Sequence, residues 1–221
     1  MGGAFVAVAD DANTITWNPA GLPGLRRTEI TSTYANLYNL GITQSYLGFV
    51  RPFSDRIALG FDWSSVGYDD NELAYSENKL NFAVGVQPHK LFSFGFTLKY
   101  LMRDMLLDEA SYGKGSGVGV DAAFLIQPLK NLKVGIGIYD FGGSSIAYKD
   151  KTTESILGQA FKLGISYMPI NGLTIAGDVG DRIHFGAEYV VANRVSFRAG
   201  LQQDITGDEK LFVPSAGLSI K

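Results

Sequence analysis

The sequence predicts an all-β, antiparallel transmembrane β-barrel of about twelve strands behind a short helical N-terminal plug. Three observations lead there: period-two alternation over most of the chain, short and long connections that largely alternate, and a bulky apolar face opposed by a face of Gly, Ala and Ser with scattered charges. The composition is compatible. With 221 residues, 46% hydrophobic and 19% charged, the chain is too apolar to be disordered. A net charge of −3 gives no footprint for nucleic acid, and without cysteine there is no disulfide framework or thiolate metal site. No apolar run reaches the roughly 18 residues of a membrane helix, a test that barrel strands never meet.

The clearest strand follows Leu91, where Phe92, Phe94, Phe96, Leu98, Tyr100 and Met102 alternate with Ser93, Gly95, Thr97, Lys99, Leu101 and Arg103. The same reading gives strands at 28–38, 42–51, 56–66, 78–87, 91–103, 115–127, 131–141, 158–168, 172–179, 183–190, 194–204 and 211–221. Those at 28–38 and 42–51 alternate least well, and Leu125 and Tyr139 break the pattern of theirs.

Every second connection is a short turn opened by proline: Pro52 to Arg56, Pro88 to Lys90, Pro128 to Asn131 and Pro169 to Gly172. Proline cannot donate to a central ladder and suits such ends. Val191 to Arg194 continues the series without one. Longer polar connections at 67–77, 104–114, 142–157 and 205–210 lie at the other end, although 39–41 and 180–182 there are short. Tight turns at one end and longer loops at the other are the asymmetry of outer-membrane barrels.

A soluble sandwich or ligand-binding barrel also alternates. Its polar face, however, meets water and should be rich in Lys, Glu and Thr. Small residues on that face instead suit an interior crowded by inserted chain, and Phe, Tyr and Trp on the other suit lipid and its interfaces.

Residues 1–27 form the predicted plug and 28–221 the barrel. Asp10 or Asp11 is expected to begin a short helix that Asn18-Pro19 and Gly21 end. The run Gly2 to Ala12 (GGAFVAVADDA), followed by Trp17-Asn18-Pro19-Ala20-Gly21-Leu22, closely resembles the N-terminus of the PorV/PorQ-like outer-membrane proteins and their wider relatives, the FadL-type long-chain fatty-acid transporters. The resemblance is specific over about residues 1–25; beyond them only the strand pattern agrees. It implies a barrel of about fourteen strands with this segment folded inside as a hatch, Asn18, Pro19 and Ala20 forming part of it. Two departures stand out: there is no signal peptide ahead of the motif, and Gly217 to Lys221 ends on lysine rather than an aromatic residue. They give the expectation of a truncated or processed start and of a missing last hairpin.

Chemistry-bearing patterns are sparse. Gly113 to Gly119 (GKGSGVG) lacks the Gly-Lys-Ser/Thr ending of a phosphate loop and reads as a glycine-rich strand entry. His89 and His184 have no metal-site spacing, and no G-x-S-x-G motif is present. No catalytic residue, metal or cofactor is expected. Between Asp178 and Glu188, His184 is expected in a hydrogen-bonded interior network. The acids Asp69, Asp70, Glu72, Asp104, Asp108 and Glu109 read as solvated outer loops. Expected lumen-facing charges are Arg56, Asp62, Lys79, Lys99, Asp121, Lys133, Lys162, Asp178, Glu188 and Arg198; both signs occur, as pairing across an interior beside a plug requires.

The expected function is therefore non-enzymatic, in the bacterial outer membrane with its lipid as first partner. The resemblance implies either a FadL-like channel for a hydrophobic small molecule or a PorV-like component that docks secretion-system proteins, with a soluble ligand-binding barrel as the alternative.

Overall fold

The computed structural model describes residues 1–37, 40–69, 73–107, 110–148, 153–192, 194–205 and 211–220. After the N-terminal segment the strands are β1 (Glu29–Leu37), β2 (Ile42–Ser54), β3 (Ile57–Asp69), β4 (Leu73–His89), β5 (Phe92–Leu107), β6 (Ala110–Leu129), β7 (Leu132–Tyr139), β8 (Ser144–Tyr148), β9 (Thr153–Leu157), β10 (Ala160–Ile170), β11 (Leu173–Val179), β12 (Arg182–Val191), β13 (Val195–Asp204) and β14 (Phe212–Ile220). Twelve of them follow one antiparallel path, β1 through β7 and then β10 through β14, while β8 and β9 form a hairpin on β6. Each of the twelve predicted strands has its counterpart on this path. The β8–β9 hairpin was not predicted, because two five-residue strands in a polar stretch show too few alternations to register. Among the described residues the path ends at β1 and β14, each paired with one neighbour.

The prolines sit at a more telling place than the mouth of a turn. Each lies in or beside a register shift near the end of its strand: between Pro52 and Ser54, Val86 and His89, Ile126 and Leu129, and Tyr167 and Ile170. A bulge leaves a backbone donor unpaired, which is where a residue without N–H is tolerated. The two-residue turns then follow at 55–56, 90–91, 130–131 and 171–172.

Which face is inner is settled by burial. Phe82, Phe96, Leu98, Val118, Phe124, Phe161, Leu163, Ile165, Phe185 and Phe197 are all exposed on the outer face. The interleaved Ala58, Asp62, Asn81, Ala83, Ser93, Thr97, Lys99, Asp121, Ala123, Ala176 and Asp178 are buried. A soluble barrel would show the reverse. The inner face is covered by residues 1–25, whose Ala12, Ile15, Leu22 and Leu25 pack with Val50, Ala58 and Ala83 of the wall.

The wall has unequal height. Strands β3 to β6 run 13, 17, 16 and 20 residues, whereas β7 has 8 and β11 has 7. β6 pairs with β7 only from Ala122 onward; nearer its start, Gly115 to Val118 pair with β8 instead. The switch occurs at Asp140, with φ of 51°, followed by Gly142 and Gly143 at 81° and 82°. Asp tolerates the left-handed region better than most non-glycine residues and here has an anchor. Lys99 reaches Asp121 at 2.7 Å and Asp140 at 2.5 Å, all three buried, the Asp140 N–H donates to Asp121 at 2.8 Å, and the Ser144 hydroxyl donates to Asp140.

Removing the cation from this cluster strands two buried carboxylates. Lys99→Met should therefore cost about 3–5 kcal/mol, and Asp140→Asn, which leaves the Lys99–Asp121 pair, less. Urea titration of the detergent-folded chain checks the order.

Candidate functional site

The N-terminal segment is built to lie against a wall rather than to fold alone. A turn closes from Ala4 N–H to the Met1 carbonyl at 3.0 Å, and a second brings Val8 and Ala9 N–H to the Phe5 carbonyl, each at 3.1 Å. The helix is one turn, Thr14–Trp17, and a 3-10 helix over Pro19–Gly24 follows. The start lies later than expected, whereas the helix does end at Asn18-Pro19, with Asn18 as its C-cap. Asn13 takes the N-cap position, and Asp11 accepts from the Asn13 backbone and side chain at 2.8 and 2.9 Å, forming an Asx turn just ahead of the helix. Gly21 does not end anything: it lies inside the 3-10 helix, where an added Cβ would strike Ala9 and Thr14. Close packing, not termination, requires glycine there. Asp10 is exposed.

Asn18 joins the parts. Fully buried, it accepts from Ala20 N–H at 3.0 Å and donates to the Val6 carbonyl at 2.6 Å and the Phe124 carbonyl of β6 at 3.4 Å. Wall side chains satisfy much of the remaining plug backbone. Asp178 accepts from Phe5 and Val6 N–H at 2.6 and 2.8 Å. Ser93 donates to Ala20, Thr97 to Ile15 and Lys133 to Val8, at 2.6, 3.2 and 3.2 Å, and the Tyr139 hydroxyl donates to Trp17. Thr16 donates to Asp62 at 2.8 Å, whose other oxygen accepts from Asn81 at 2.9 Å.

Between these bonds the wall is bare. A Cβ at Gly60 would strike Ile15, at Gly85 and Gly95 Pro19, at Gly135 Val6, at Gly186 Met1 and at Gly200 Gly2. These positions span β3, β4, β5, β7, β12 and β13, so the glycines trace the path of the plug around the interior.

The expected lumen charges fall into groups. Lys99 and Asp121 belong to the buried cluster at Asp140, and Arg198 pairs with Glu188 at 2.8 Å. Lys162 reaches Asp181 at 3.2 Å and lies over the rings of Trp17 and Tyr139, 5.4 and 5.6 Å from their centres. Burial pushes the Asp181 carboxyl up, but the hydrogen bond and charge of Lys162 outweigh it and hold the group below the usual carboxylate range. Asp62, Lys133 and Asp178 bind the plug, as above. Arg56 is placed otherwise: it is exposed in the turn between β2 and β3, one step beyond the last inward position. His184 also departs from expectation, since it packs its ring on Gly3 and makes no hydrogen bond among the described residues. Gly113 to Gly119 lies within β6, and its Lys114 reaches Asp104 at 2.6 Å. Of the acidic loop residues, Asp70, Glu72, Asp108 and Glu109 lie outside the described residues.

Above the plug is a chamber of about 320 Å³ lined by Thr16, Trp17, Lys79, Asn81, Lys99, Asp121, Tyr139, Asp140, Ala160, Lys162 and Asp181. Sequence reading missed Tyr139, Asn81 and Asp140, and also the Tyr75–Glu77–Arg103 group further up the tall wall, where Glu77 accepts from Tyr75 at 2.7 Å and Arg103 at 3.0 Å. Glu77 and Asn81 share strand parity with Lys79, and Arg103 with Lys99, so extending the alternation reaches them. Nothing local flags Asp140, which follows the end of β7.

Solved structures with a similar fold exist. The CymD monoaromatic hydrocarbon channel superposes with a TM-score of 0.76 over 100% of this chain and 87% of its own, at 14% identity. The chain has the FadL-type barrel fold. A Pseudomonas aeruginosa FadL homologue matches with a TM-score of 0.63 at 11% identity, over 98% of this chain and 83% of that one. The deltaS2 mutant of the TodX monoaromatic hydrocarbon channel matches with 0.62 at 11% identity, over 95% and 84%. No protein-family model and no curated protein sequence matches. Within this FadL-type fold, the residues that tie plug to wall are the testable part of the site.

Asn18→Ala leaves the Val6 carbonyl and Ala20 N–H buried without their partner, a loss of about 1–3 kcal/mol. Hydrogen exchange should show residues 1–25 opening more often in the variant, with the strands of the wall unchanged.

Proposed function

We propose that the chain is an outer-membrane channel for hydrophobic small molecules, with residues 1–25 as its plug. The observation that carries this reading is the FadL-type wall with its apolar face outward and chain packed within. Two of the structures it resembles are channels for monoaromatic hydrocarbons. The chamber suits a cargo of that class, because Trp17 and Tyr139 present rings to it and its charged groups are largely engaged with each other. Cargo enters past the outer loops, rests in the chamber beside Trp17, and passes on when the plug shifts from the wall.

The PorV/PorQ wording of Gly2 to Ala12 carries a second reading, in which the loops dock a secretion partner. The channel reading is preferred, since two of the solved structures that the chain resembles are channels for hydrophobic molecules.

Two experiments test this proposal. Phe96 is 46% exposed on the outer face, and Phe96→Arg should weaken folding into bilayers by about 2–4 kcal/mol if the site lies near the midplane. Unchanged folding would contradict an outward lipid face. Titrating a monoaromatic hydrocarbon into the detergent-folded chain should quench tryptophan fluorescence saturably, and Trp17→Phe, which keeps Trp63, should abolish that component. Linear quenching equal in both proteins would remove the chamber as a binding site.

A further inference from the structure

We infer that the short-turn end of the barrel is a binding surface for anionic phospholipid headgroups, an inference that rests on the membrane-barrel reading. The two ends of the chain differ in charge. Short turns and the segment leading into β1 hold Arg26, Arg27, Arg51, Arg56, Lys90, Lys130 and Arg194, against Glu29 and Asp55. Both acids are already engaged, Glu29 with Arg27 at 3.4 Å and Asp55 with Arg26 at 3.8 Å. Arg51, Arg56, Lys90, Lys130 and Arg194 have no carboxylate partner among the described residues. At the other end the connections 67–77, 104–114 and 204–210 hold more acidic than basic residues in sequence, and the described Asp104, Asp181 and Asp204 are matched by Lys114, Lys162 and Arg182.

The position of the free cations identifies what they face. Four of the five lie at the border of the outer apolar face: Arg51 between Phe49 and Phe53, Arg56 before Ile57, Lys90 before Leu91 and Phe92, and Lys130 after Leu129, all of these apolar residues being exposed. Arg51 lies over the Phe53 ring at 5.6 Å, and His89 stacks on Phe92 at 6.1 Å. Aromatic rings at the edge of an apolar belt mark the headgroup level of a bilayer, and cations just beyond them lie where lipid phosphates lie. Between two neighbouring turns the surface also opens into a cleft of about 600 Å³ lined by Arg26, Asp55, Arg56, Gln87, Pro88, His89 and Lys90. It has room for a glycerophosphate headgroup while the acyl chains lie along Ile57 and Phe92. A soluble acidic protein would account for the charge, but not for its registry with the apolar border.

The test uses the whole chain folded in detergent with equal phosphatidylglycerol and phosphatidylethanolamine of identical acyl chains, followed by mass spectrometry of the lipid retained after gel filtration. The wild type should retain phosphatidylglycerol in preference by about fivefold or more. The ratio should fall toward one in the triple variant Arg51→Gln, Arg56→Gln, Lys90→Gln, and at high salt. Lys114→Gln with Arg182→Gln, at the opposite end, should keep it. Equal retention by a wild type that still shows a boiling-dependent mobility shift overturns the inference alone, as does a preference that survives the triple variant. Absence of that shift, with a monodisperse chain in plain buffer, overturns the membrane reading beneath it.

Discussion

Everything in this fold depends on one constraint: backbone polar groups placed inside a barrel must find partners there. Residues 1–25 contain only one helical turn and a short 3-10 helix, and local bonds leave the Phe5 and Val6 N–H groups and the Val8, Ile15, Trp17 and Ala20 carbonyls to be satisfied from outside the segment. The wall supplies what is missing. Asp178 takes two plug N–H groups, while Ser93, Thr97, Lys133 and Tyr139 each reach a plug carbonyl. These side chains come from β5, β7 and β11, spread over five consecutive strands of the path, and together they fix the plug's position more tightly than its buried apolar residues could. Hydrophobic packing between Ile15 or Leu22 and the small wall residues has no direction, whereas a hydrogen bond fails within a fraction of an ångström.

The same constraint explains the inner face. A wall that must bond to backbone has to approach it closely, and the glycines opposite Pro19, Val6 and Met1 permit that approach. Charges follow a related logic. An unpaired ion in this interior would be costly, so Lys99 sits between Asp121 and Asp140, and Glu188 beside Arg198. Asp140 in turn holds the point where β7 leaves β6 and β8 replaces it, so one buried cluster sets both the height of the wall and the rim of the chamber.

The main strand path was legible because alternation with a period of two is imposed by the pleat itself and repeats over long stretches. Phe92 to Met102 could hardly be read otherwise. Which face looked outward was also legible, since Gly, Ala and Ser opposite Phe and Leu make no sense as a solvated surface. What stayed hidden depends on three-dimensional encounters. Gly21 looked like a helix terminator because its neighbour Ala9 is distant in sequence. Arg56 continued the parity of β3 into a turn where parity no longer holds. Pairings such as Asp178 with the backbone of Phe5 and Val6 join residues more than 170 positions apart. No spacing rule reaches that far, and a plug held through its backbone leaves little trace in its own side chains.

The charged residues around the chamber raise the question of how such a site could receive an apolar molecule. Their pairing answers it. Lys99 is committed to two carboxylates and Lys162 to Asp181, while the Asp62 carboxylate accepts hydrogen bonds from Thr16 and Asn81, so most of the charges facing the chamber are paired or hydrogen-bonded where they stand. What a cargo would then touch is lysine methylene, the indole of Trp17, the ring of Tyr139 and Ala160, beside the paired carboxylates of Asp121, Asp140 and Asp181. Lys79 is the exception, with no carboxylate or hydrogen-bond partner among the described residues. A single mobile ammonium on a long stem can turn toward water at the mouth and leave its methylenes in the chamber. The ionic network is thus compatible with apolar transit because, Lys79 apart, its charges are held in place by partners within the wall.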